Sequence, residues 1–323
     1  MSKPKVLLSA ALSPDLLAEV EAVCEVVANL PSSEVLDSSS LEEFSEIEGW
    51  LTTVKQPVTA EILERLPRLR AVSNYAVGYD NIDVEAGTQR RVQICNTPGV
   101  LDAAVAEATV GMILSLVRGL AKADRFVRDG AWQAGAFPLT VDVHGKRLGI
   151  VGHGRIGRRV ATVAAALGME IVYHNRRELS AEDNPAGASL VSREELLTGS
   201  DVVVLLLPLN EDTRGTFGAK EFEQMKDSAY LINPARGALI DEDALADALR
   251  SRSIAGAALD VMTVEPLAID SPLLELDNTV LLPHIGSATV ETRRAMAELA
   301  VPNLLDAVRG EHPRGAVNDL AGQ

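Results

Sequence analysis

A glycine-rich turn between an apolar segment and a helical one constrains the fold of this chain more than any other feature. Residues 152–157 read Gly-His-Gly-Arg-Ile-Gly, after the strand-like segment Leu148–Val151 and before the helical segment Arg158–Leu167. In this context the glycines allow a tight turn, close approach of the backbone to a phosphate, and close packing of helix on strand. Backbone amides at the start of the helix would face the phosphates. The pattern predicts a dinucleotide-binding unit whose contacts come from Gly152, Gly154, Arg155, Ile156 and Gly157.

Short apolar segments and helical segments alternate over most of the chain, as in parallel sheets joined by crossover helices. One series of strand-like segments precedes a breaker cluster, Thr97-Pro98-Gly99, and a second series begins at Arg147. A long helical stretch rich in Ala, Val and Leu runs between them, from about Asp102 to Asp129. The alternation predicts an α/β fold of two doubly wound parallel sheets with a cleft between them.

Length, charge and cysteine content narrow the class of protein. At 323 residues the chain is long for one domain, and its formal net charge is −16. A field of that sign repels nucleic acid and anionic membranes, so neither is expected as a partner. Cys24 and Cys95 lie in apolar segments and are interpreted as core residues of a reducing compartment. The apolar segment near the N-terminus is too short for a signal sequence, so a cytoplasmic location is expected.

The residues after the strand that follows the glycine turn bear on the choice of coenzyme. That strand ends at His174, where NAD-binding units normally carry an acidic residue for the ribose hydroxyls. This chain has Asn175 there, followed by Arg176 and Arg177. An asparagine tolerates a 2′-phosphate, and two guanidinium groups can bind one through paired hydrogen bonds. We therefore expect NADP(H) to be preferred, with NAD(H) as the alternative.

Three residues suited to acid–base chemistry lie just after successive apolar segments in the second half: Arg236, Glu265 and His284. Reduction of a keto acid needs a cation to hold the carboxylate and polarise the carbonyl, and a proton donor for the oxygen that becomes an alkoxide. A guanidinium suits the first task. A histidine paired with a carboxylate suits the second, because the carboxylate raises the imidazole pKa and holds the ring. No group of His, Cys and acidic residues has metal-ligand spacing, so no metal is expected.

These motifs, in their order along the chain, resemble those of the D-isomer-specific 2-hydroxyacid dehydrogenase family, and within it the glyoxylate/hydroxypyruvate reductases. The resemblance covers nearly the whole chain. It implies an NAD(P)-dependent oxidoreductase that transfers a hydride to a small 2-keto acid and forms the D-2-hydroxy acid. It also implies that Arg236 binds the substrate carboxylate and carbonyl, that His284 is the acid/base, that Glu265 tunes His284, and that Asp260 holds the nicotinamide carboxamide.

The first half carries the features that the resemblance links to the substrate. Residues 74–83 look like the substrate loop of the glyoxylate and hydroxypyruvate reductases, which implies that the amides of Val77 and Gly78 hold the carboxylate and that Leu51 lines the pocket. Arg236 and His284 would complete the contacts to the substrate. The segment Ala103–Arg118 is similar to the family's dimerising helix, so a homodimer is expected.

The family's fold implies the domain boundaries. A flavodoxin-like substrate-binding domain would comprise residues 1–98, completed by 287–323, and a Rossmann coenzyme domain would comprise residues 99–286. Two other functions stay open at this point. One is another D-2-hydroxyacid or phosphite dehydrogenase with the same fold, and the other is a dinucleotide-sensing binding protein similar to the corepressors that share it.

Overall fold

The computed structural model describes residues 2–31 and 33–320. The chain divides into two compact units, of which the first comprises residues up to Leu101 and from Thr289 onward, and the second comprises Asp102–Ala288. These boundaries lie three and two residues after those expected from the sequence, which ended the first segment at residue 98 and the second at residue 286.

Unit 1 is a five-stranded sheet with helices. Its strands are β1 (Lys5–Leu8), β2 (Glu25–Asn29), β3 (Gly49–Thr52), β4 (Ala71–Asn74) and β5 (Gln93–Cys95). Its helices are α1 (Pro14–Val23), α2 (Ala60–Arg65), α3 (Val84–Gln89) and the C-terminal helix Val290–Arg309. The strand order is β2-β1-β3-β4-β5 and every pairing is parallel. This is the order of a flavodoxin-like domain, which the family resemblance implied.

Each face of this sheet is covered, and every residue of the central strands β3 and β4 is buried. The C-terminal helix packs on one face through residues such as Ala300 and Leu304, next to Val6 and Leu8 of β1. The other face buries a second cluster that includes Trp50, whose indole nitrogen donates a 3.0 Å hydrogen bond to Ser9 Oγ. Unit 1 is therefore closed only when the last helix of the chain returns to it.

Unit 2 is a seven-stranded parallel sheet. Its strands are β6 (Arg147–Val151), β7 (Glu170–His174), β8 (Ser189–Leu190), β9 (Val202–Leu205), β10 (Tyr230–Asn233), β11 (Gly256–Leu259) and β12 (Thr279–Leu281). Its helices are α4 (Asp102–Val117), α5 (Leu120–Arg128), α6 (Arg155–Ala166), α7 (Arg193–Gly199), α8 (Ala219–Gln224) and α9 (Glu242–Arg250). Two apolar clusters cover its faces.

The strand order of unit 2 is β12-β11-β10-β9-β6-β7-β8. The order reverses beside β6, the first strand of the unit, because β7 and β8 lie on one side of it and β9 to β12 on the other. Ligands of doubly wound sheets bind at the carboxyl ends of the strands at such a switch point. The glycine turn follows β6 directly, so it occupies the place expected for a dinucleotide-binding turn.

The structure corrects one expectation about the long helical stretch. The stretch breaks at Gly119, which has φ of +61°, so that α4 and α5 are separate helices. The expectation that the segment Ala103–Arg118 is a dimerising helix stays a prediction. Within this chain α4 buries ten of its sixteen residues. Within the described residues, no single helix meets the length and hydropathy expected of a membrane span. Only α4 and α5 taken together do, and they are bent by 61°.

Candidate active site

The turn after β10 presents Arg236. Asn233, which is fully buried at the end of the strand, stabilises this turn through two hydrogen bonds to its backbone. Its side-chain amide donates to the Arg236 carbonyl at 2.8 Å, and its Oδ1 accepts from the Ala235 amide at 3.1 Å. The Arg236 guanidinium donates to the Ala235 carbonyl at 2.8 Å, and the side chain is half-buried. The turn therefore holds a cation in a defined place at the carboxyl end of the sheet.

Gly237 brings this turn against the loop that follows β11. A Cβ atom at Gly237 would lie 1.9 Å from the carbonyl carbon of Met262 and 2.3 Å from the Thr263 nitrogen. Only a residue without a side chain can pass so close to a peptide group. The glycine after Arg236 thus sets the distance between the guanidinium loop and the loop that carries Glu265.

Asp260 anchors the turn after β12. It follows β11 and is 1% exposed. Its two carboxylate oxygens accept hydrogen bonds from the amides of Ile285 and Gly286, each at 2.7 Å. Burial raises the pKa of Asp260, although both amide hydrogen bonds act in the opposite direction. The residue fixes the backbone immediately after His284.

His284 has a left-handed backbone, with φ of +57°. Few residues other than glycine adopt this conformation, and it recurs where surrounding structure over-determines a functional residue. Here the Asp260 carboxylate holds the two amides that follow, so the conformation is enforced from the buried side. The His284 side chain remains one-third exposed, at 34%.

The imidazole of His284 is paired with Glu265. The distance between His284 Nδ1 and Glu265 Oε2 is 2.7 Å, and Glu265 Oε1 accepts from the Met262 amide at 3.1 Å. Burial alone would raise the pKa of Glu265, but the hydrogen bond and charge of His284, the Met262 amide and the charge of Arg236 together lower it. Glu265 is therefore held as a carboxylate beside the ring.

The three predicted residues therefore act on one another within unit 2, since Arg236 and His284 both influence the pKa of Glu265. A carboxylate can only accept at Nδ1, so this ring nitrogen carries a proton and Nε2 is left to exchange one. A guanidinium beside such a pair can bind an anion and polarise a carbonyl, while the ring protonates the oxygen. The arrangement suits the reduction of an anionic carbonyl compound.

The glycine turn after β6 has the geometry of a phosphate cradle. Gly152 has φ of +96°, and a Cβ atom there would lie 2.6 Å from the Leu206 carbonyl oxygen. Gly154 begins α6, and a Cβ atom on it would meet no atom within 4 Å, so space is open there. At Gly157 a Cβ atom would lie 3.0 Å from the Gly152 oxygen, which is the close helix–strand contact that the motif predicts. The amides of Arg155 and Ile156, in the first turn of α6, are available to an anion.

Arg155 has a partner that the sequence did not reveal. Its Nε atom donates to Asp102 Oδ2 at 3.2 Å, and Asp102 is 4% exposed at the first position of α4. The Arg155 side chain is 56% exposed. Nothing in the sequence between residues 102 and 155 indicates this contact, because it depends on how α4 packs along α6.

Asn175 follows β7 and is hydrogen-bonded to the backbone of the glycine turn. Its Oδ1 accepts from the His153 amide at 2.7 Å, and its amide nitrogen contacts the His153 carbonyl at 3.3 Å. Arg176 and Arg177 follow it as exposed residues. The sequence placed these residues at the end of β7, and the structure adds that Asn175 ties the end of β7 to the turn.

The second residue of the glycine turn, His153, has a buried side chain. The ring is 1% exposed and stacks on Tyr173, with 4.7 Å between centroids. Neither ring nitrogen has a hydrogen-bond partner among the described residues. Burial and, to a lesser extent, Arg158 lower the pKa of His153 to about 4. The neutral ring supports the glycine turn from beneath.

The residues expected to contact the substrate from unit 1 divide into two groups. Val77 and Gly78 lie in the loop after β4, and Asn74 donates to the Gly78 carbonyl at 2.7 Å. The expectation for Leu51 is wrong, because its side chain is 0% exposed and packs in the core beside Leu8 and Ala71. Leu51 belongs to the central strand β3, and its side chain is part of the core between the sheet and the C-terminal helix. In the described part of the chain, no three His, Cys or acidic side chains are grouped as metal ligands.

Comparisons with known proteins identify the family of the chain. Residues 110–286 match the model of the D-isomer specific 2-hydroxyacid dehydrogenase NAD binding domain. Glyoxylate/hydroxypyruvate reductase B of Shigella flexneri is 43% identical over 321 residues, which cover 98% of each chain. The protein of the same name from Escherichia coli K12 has the same identity and coverage.

Solved structures show the same fold. A glyoxylate reductase from Paecilomyes thermophila is 34% identical, with a TM-score of 0.89 over 98% of this chain and 99% of that one. An NADPH-dependent glyoxylate/hydroxypyruvate reductase from Sinorhizobium meliloti, in complex with NADP and malonate, is 30% identical. Its TM-score is 0.89 over 99% of this chain and 98% of that one. The expected family and fold class are confirmed, and the chain belongs to the D-isomer specific 2-hydroxyacid dehydrogenases.

Proposed function

We propose that this protein reduces glyoxylate and hydroxypyruvate to the corresponding D-2-hydroxy acids, with NADPH as the preferred coenzyme. The observation that carries the proposal is the 2.7 Å pair of His284 and Glu265 beside the Arg236 turn. It supplies the cation and the proton donor that reduction of an anionic carbonyl needs. The substrate class is supported by the relatives, which are glyoxylate/hydroxypyruvate reductases at 43% identity over nearly the whole chain.

Arg236, His284 and Glu265 have different roles in the proposed reduction. Arg236 binds the substrate carboxylate and draws electron density from the carbonyl oxygen. A nicotinamide coenzyme, when bound in this unit, would supply the hydride for the carbonyl carbon. His284 gives the Nε2 proton to the oxygen, so that the product is a neutral hydroxyl and the ring is left uncharged. Glu265, held as a carboxylate, accepts the hydrogen bond from Nδ1 and so keeps the ring oriented for the transfer.

The coenzyme would be held by the glycine turn. Gly154 leaves open space at the start of α6, and the amides of Arg155 and Ile156 suit its phosphates. Asp260, which accepts two backbone amides, has acceptor capacity left for the carboxamide. Arg176 and Arg177 would bind a 2′-phosphate beside the uncharged Asn175. The preference for NADPH is supported by these charges and by the NADPH-dependent relative.

The protein is also proposed to be a homodimer, through a surface next to the expected helix. Five exposed apolar side chains fall within residues 120–141, which contain α5 and the segment after it: Leu120, Val127, Trp132, Leu139 and Val141. Exposed apolar patches mark association sites, and these side chains are concentrated in one short segment of the chain. Light scattering should give a dimer for the wild type and a monomer for Trp132→Ser with Leu139→Ser. Ile269→Ser, at another exposed apolar residue of unit 2, should stay dimeric, and a monomeric wild type contradicts the proposal.

Initial rates test the function directly. Glyoxylate, hydroxypyruvate, pyruvate and phosphite would each be followed by coenzyme absorbance with NADP(H) and with NAD(H). We expect the highest kcat/KM with glyoxylate or hydroxypyruvate and NADPH. Highest activity on pyruvate or phosphite would assign a different dehydrogenase of this family. Tight coenzyme binding without turnover of any substrate would indicate a dinucleotide sensor.

A further inference from the structure

The loop after β4 has an unusual pattern of hydrogen bonds. Three successive carbonyl groups, those of Ala76, Val77 and Gly78, each accept a bond from a residue at a strand end. The donors are the Thr97 amide at 2.8 Å, the Asn96 side chain at 2.7 Å and the Asn74 side chain at 2.7 Å, respectively. The carbonyls of this loop are therefore all fixed from one side.

The three donors lie together because of the register of the sheet. Ser73 of β4 pairs with Cys95 of β5, so the residues that follow, Asn74 and Asn96, leave neighbouring strands at the same level. Asn74 is 0% exposed and Asn96 is 8% exposed. Both side-chain amides are thus buried donors whose targets are the carbonyls of the loop.

Fixing the carbonyls also fixes the amides. In a trans peptide the C=O and N–H bonds point in opposite directions. The peptide groups whose oxygens are held therefore direct the N–H groups of Val77, Gly78 and Tyr79 away from the strand ends. Within residues 2–31 and 33–320, these three amides have no hydrogen-bond acceptor. Successive outward amides form the kind of concavity that binds anions.

The loop is tied down at its far end as well. The Asn81 side chain donates to the Thr53 and Gln56 carbonyls, at 3.2 and 2.9 Å. Asn81 also accepts from Asn74 Nδ2 at 3.3 Å. Since both ends and all three carbonyls are held, the outward amides are ordered before any ligand binds, which lowers the entropic cost of binding.

We propose that Asn96 and Asn74 are positioning residues that orient the amides of Val77, Gly78 and Tyr79 to hold the substrate carboxylate. Neither side chain touches the anion. Without them, a peptide group can rotate and present its carbonyl oxygen, which repels a carboxylate. The identity of the anion as a keto acid rests on the proposed function, whereas the orientation of the amides rests on the hydrogen bonds above.

Asn96→Leu and Asn74→Leu remove the donors at similar side-chain size. We expect each to raise KM for glyoxylate and the inhibition constant of oxalate about tenfold or more, since hydrogen bonds to a charged group are weakened. The coenzyme dissociation constant should stay unchanged and kcat should fall by less than about threefold. Asn318→Leu is the matched control, because Asn318 is also buried in unit 1 and bonds Ile94 and Val92 rather than this loop. It should lower the thermal midpoint without changing either constant.

Oxalate affinity measured by calorimetry, on enzyme saturated with coenzyme, separates this inference from the proposed function. Wild-type affinity for oxalate in both leucine variants would overturn the positioning role even if the enzyme reduces glyoxylate. Loss of affinity in both would support it even if the best substrate is another small acid. If a leucine variant fails to fold, Asn96→Asp, which keeps the size but cannot donate when ionised, replaces it with the same expected loss.

Discussion

His284 Nδ1 lies 2.7 Å from Glu265 Oε2, although 19 residues separate the two along the chain. Two backbone features make this contact: the left-handed conformation of His284, held from behind by Asp260, and the Met262 amide, which orients the Glu265 carboxylate. The ring can therefore keep one orientation through the reaction. The pair is the basis of the proposed acid/base chemistry.

Glu265→Gln keeps the shape of the side chain and removes its charge. We expect kcat to fall about a hundredfold, within the range of general acid–base effects, with an unchanged coenzyme dissociation constant. Wild-type kcat in this variant would show that the charge is not needed.

The pH dependence of the pair follows from the lowered pKa of Glu265. A carboxyl whose pKa is lowered in the folded state favours folding above its ordinary value of 4.5, and this contribution is lost as pH falls through the lowered pKa. The same lowered pKa keeps Glu265 ionised at pH 5 and above. Protonation of Glu265 should therefore cause no loss of wild-type kcat in that pH range. An acid limb above pH 5 that is present in the wild type and absent from Glu265→Gln would contradict the lowered pKa.

Gly237→Ala tests the contact between the Arg236 turn and the Glu265 loop. The added methyl would collide with the Met262 peptide, so one loop must move. We expect kcat/KM to fall at least about tenfold and the free energy of unfolding to fall by about 1–3 kcal/mol, as for other overpacking changes. Gly135→Ala, where a Cβ would meet no atom within 4 Å, is the control and should keep wild-type values. Equal activity in the two variants would show that the close contact is unimportant.

Asn175→Asp tests the basis of coenzyme choice. A carboxylate can still accept from the His153 amide, although the 3.3 Å contact of the Asn175 amide nitrogen with the His153 carbonyl is lost. Its charge opposes a 2′-phosphate. We expect kcat/KM with NADPH to fall about tenfold or more while that with NADH is kept or rises. Replacing Arg176 and Arg177 by serine should also reduce activity with NADPH selectively. An unchanged coenzyme ratio in both variants would argue against these residues as determinants.

His153 should make stability depend on pH. Its folded pKa of about 4 lies below the ordinary value of 6.5, so the unfolded chain binds the extra proton first as pH falls. The contribution is present above pH 6.5 and is lost progressively toward pH 4, by about 2 kcal/mol at pH 5. Urea unfolding at pH 8 and pH 5 should show a smaller pH effect for His153→Leu than for the wild type. Equal pH effects would mean that the ring is not buried as a neutral base.

Much of the fold could be predicted from the sequence because buried parallel strands are marked by short apolar segments. The strand that follows the glycine turn ends at His174, as the sequence predicted. The strand Glu25–Asn29 was missed because its burial alternates on an edge strand, and the two-residue strand Ser189–Leu190 was missed because it is exposed and too short to form a pattern.

The residues of the candidate site could be predicted where the chemistry requires a particular residue type. Their contacts could not be predicted where they depend on tertiary packing. Arg236, Glu265 and His284 are recognisable by their chemistry and by their places after strands. The contacts of Asp260 with two backbone amides, and of Asp102 with Arg155, depend on tertiary geometry that no local pattern encodes. The burial of Leu51 in the core was not predictable for the same reason. The sequence of a strand does not indicate which of its side chains line a pocket.

The most direct test of the account is single-turnover reduction of glyoxylate by His284→Asn. Asparagine tolerates the left-handed backbone at this position but cannot serve as an acid. We predict a rate about a hundredfold to ten-thousandfold below wild type, with the NADPH dissociation constant changed less than about twofold. A rate close to that of the wild type would contradict the role of His284 as the proton donor.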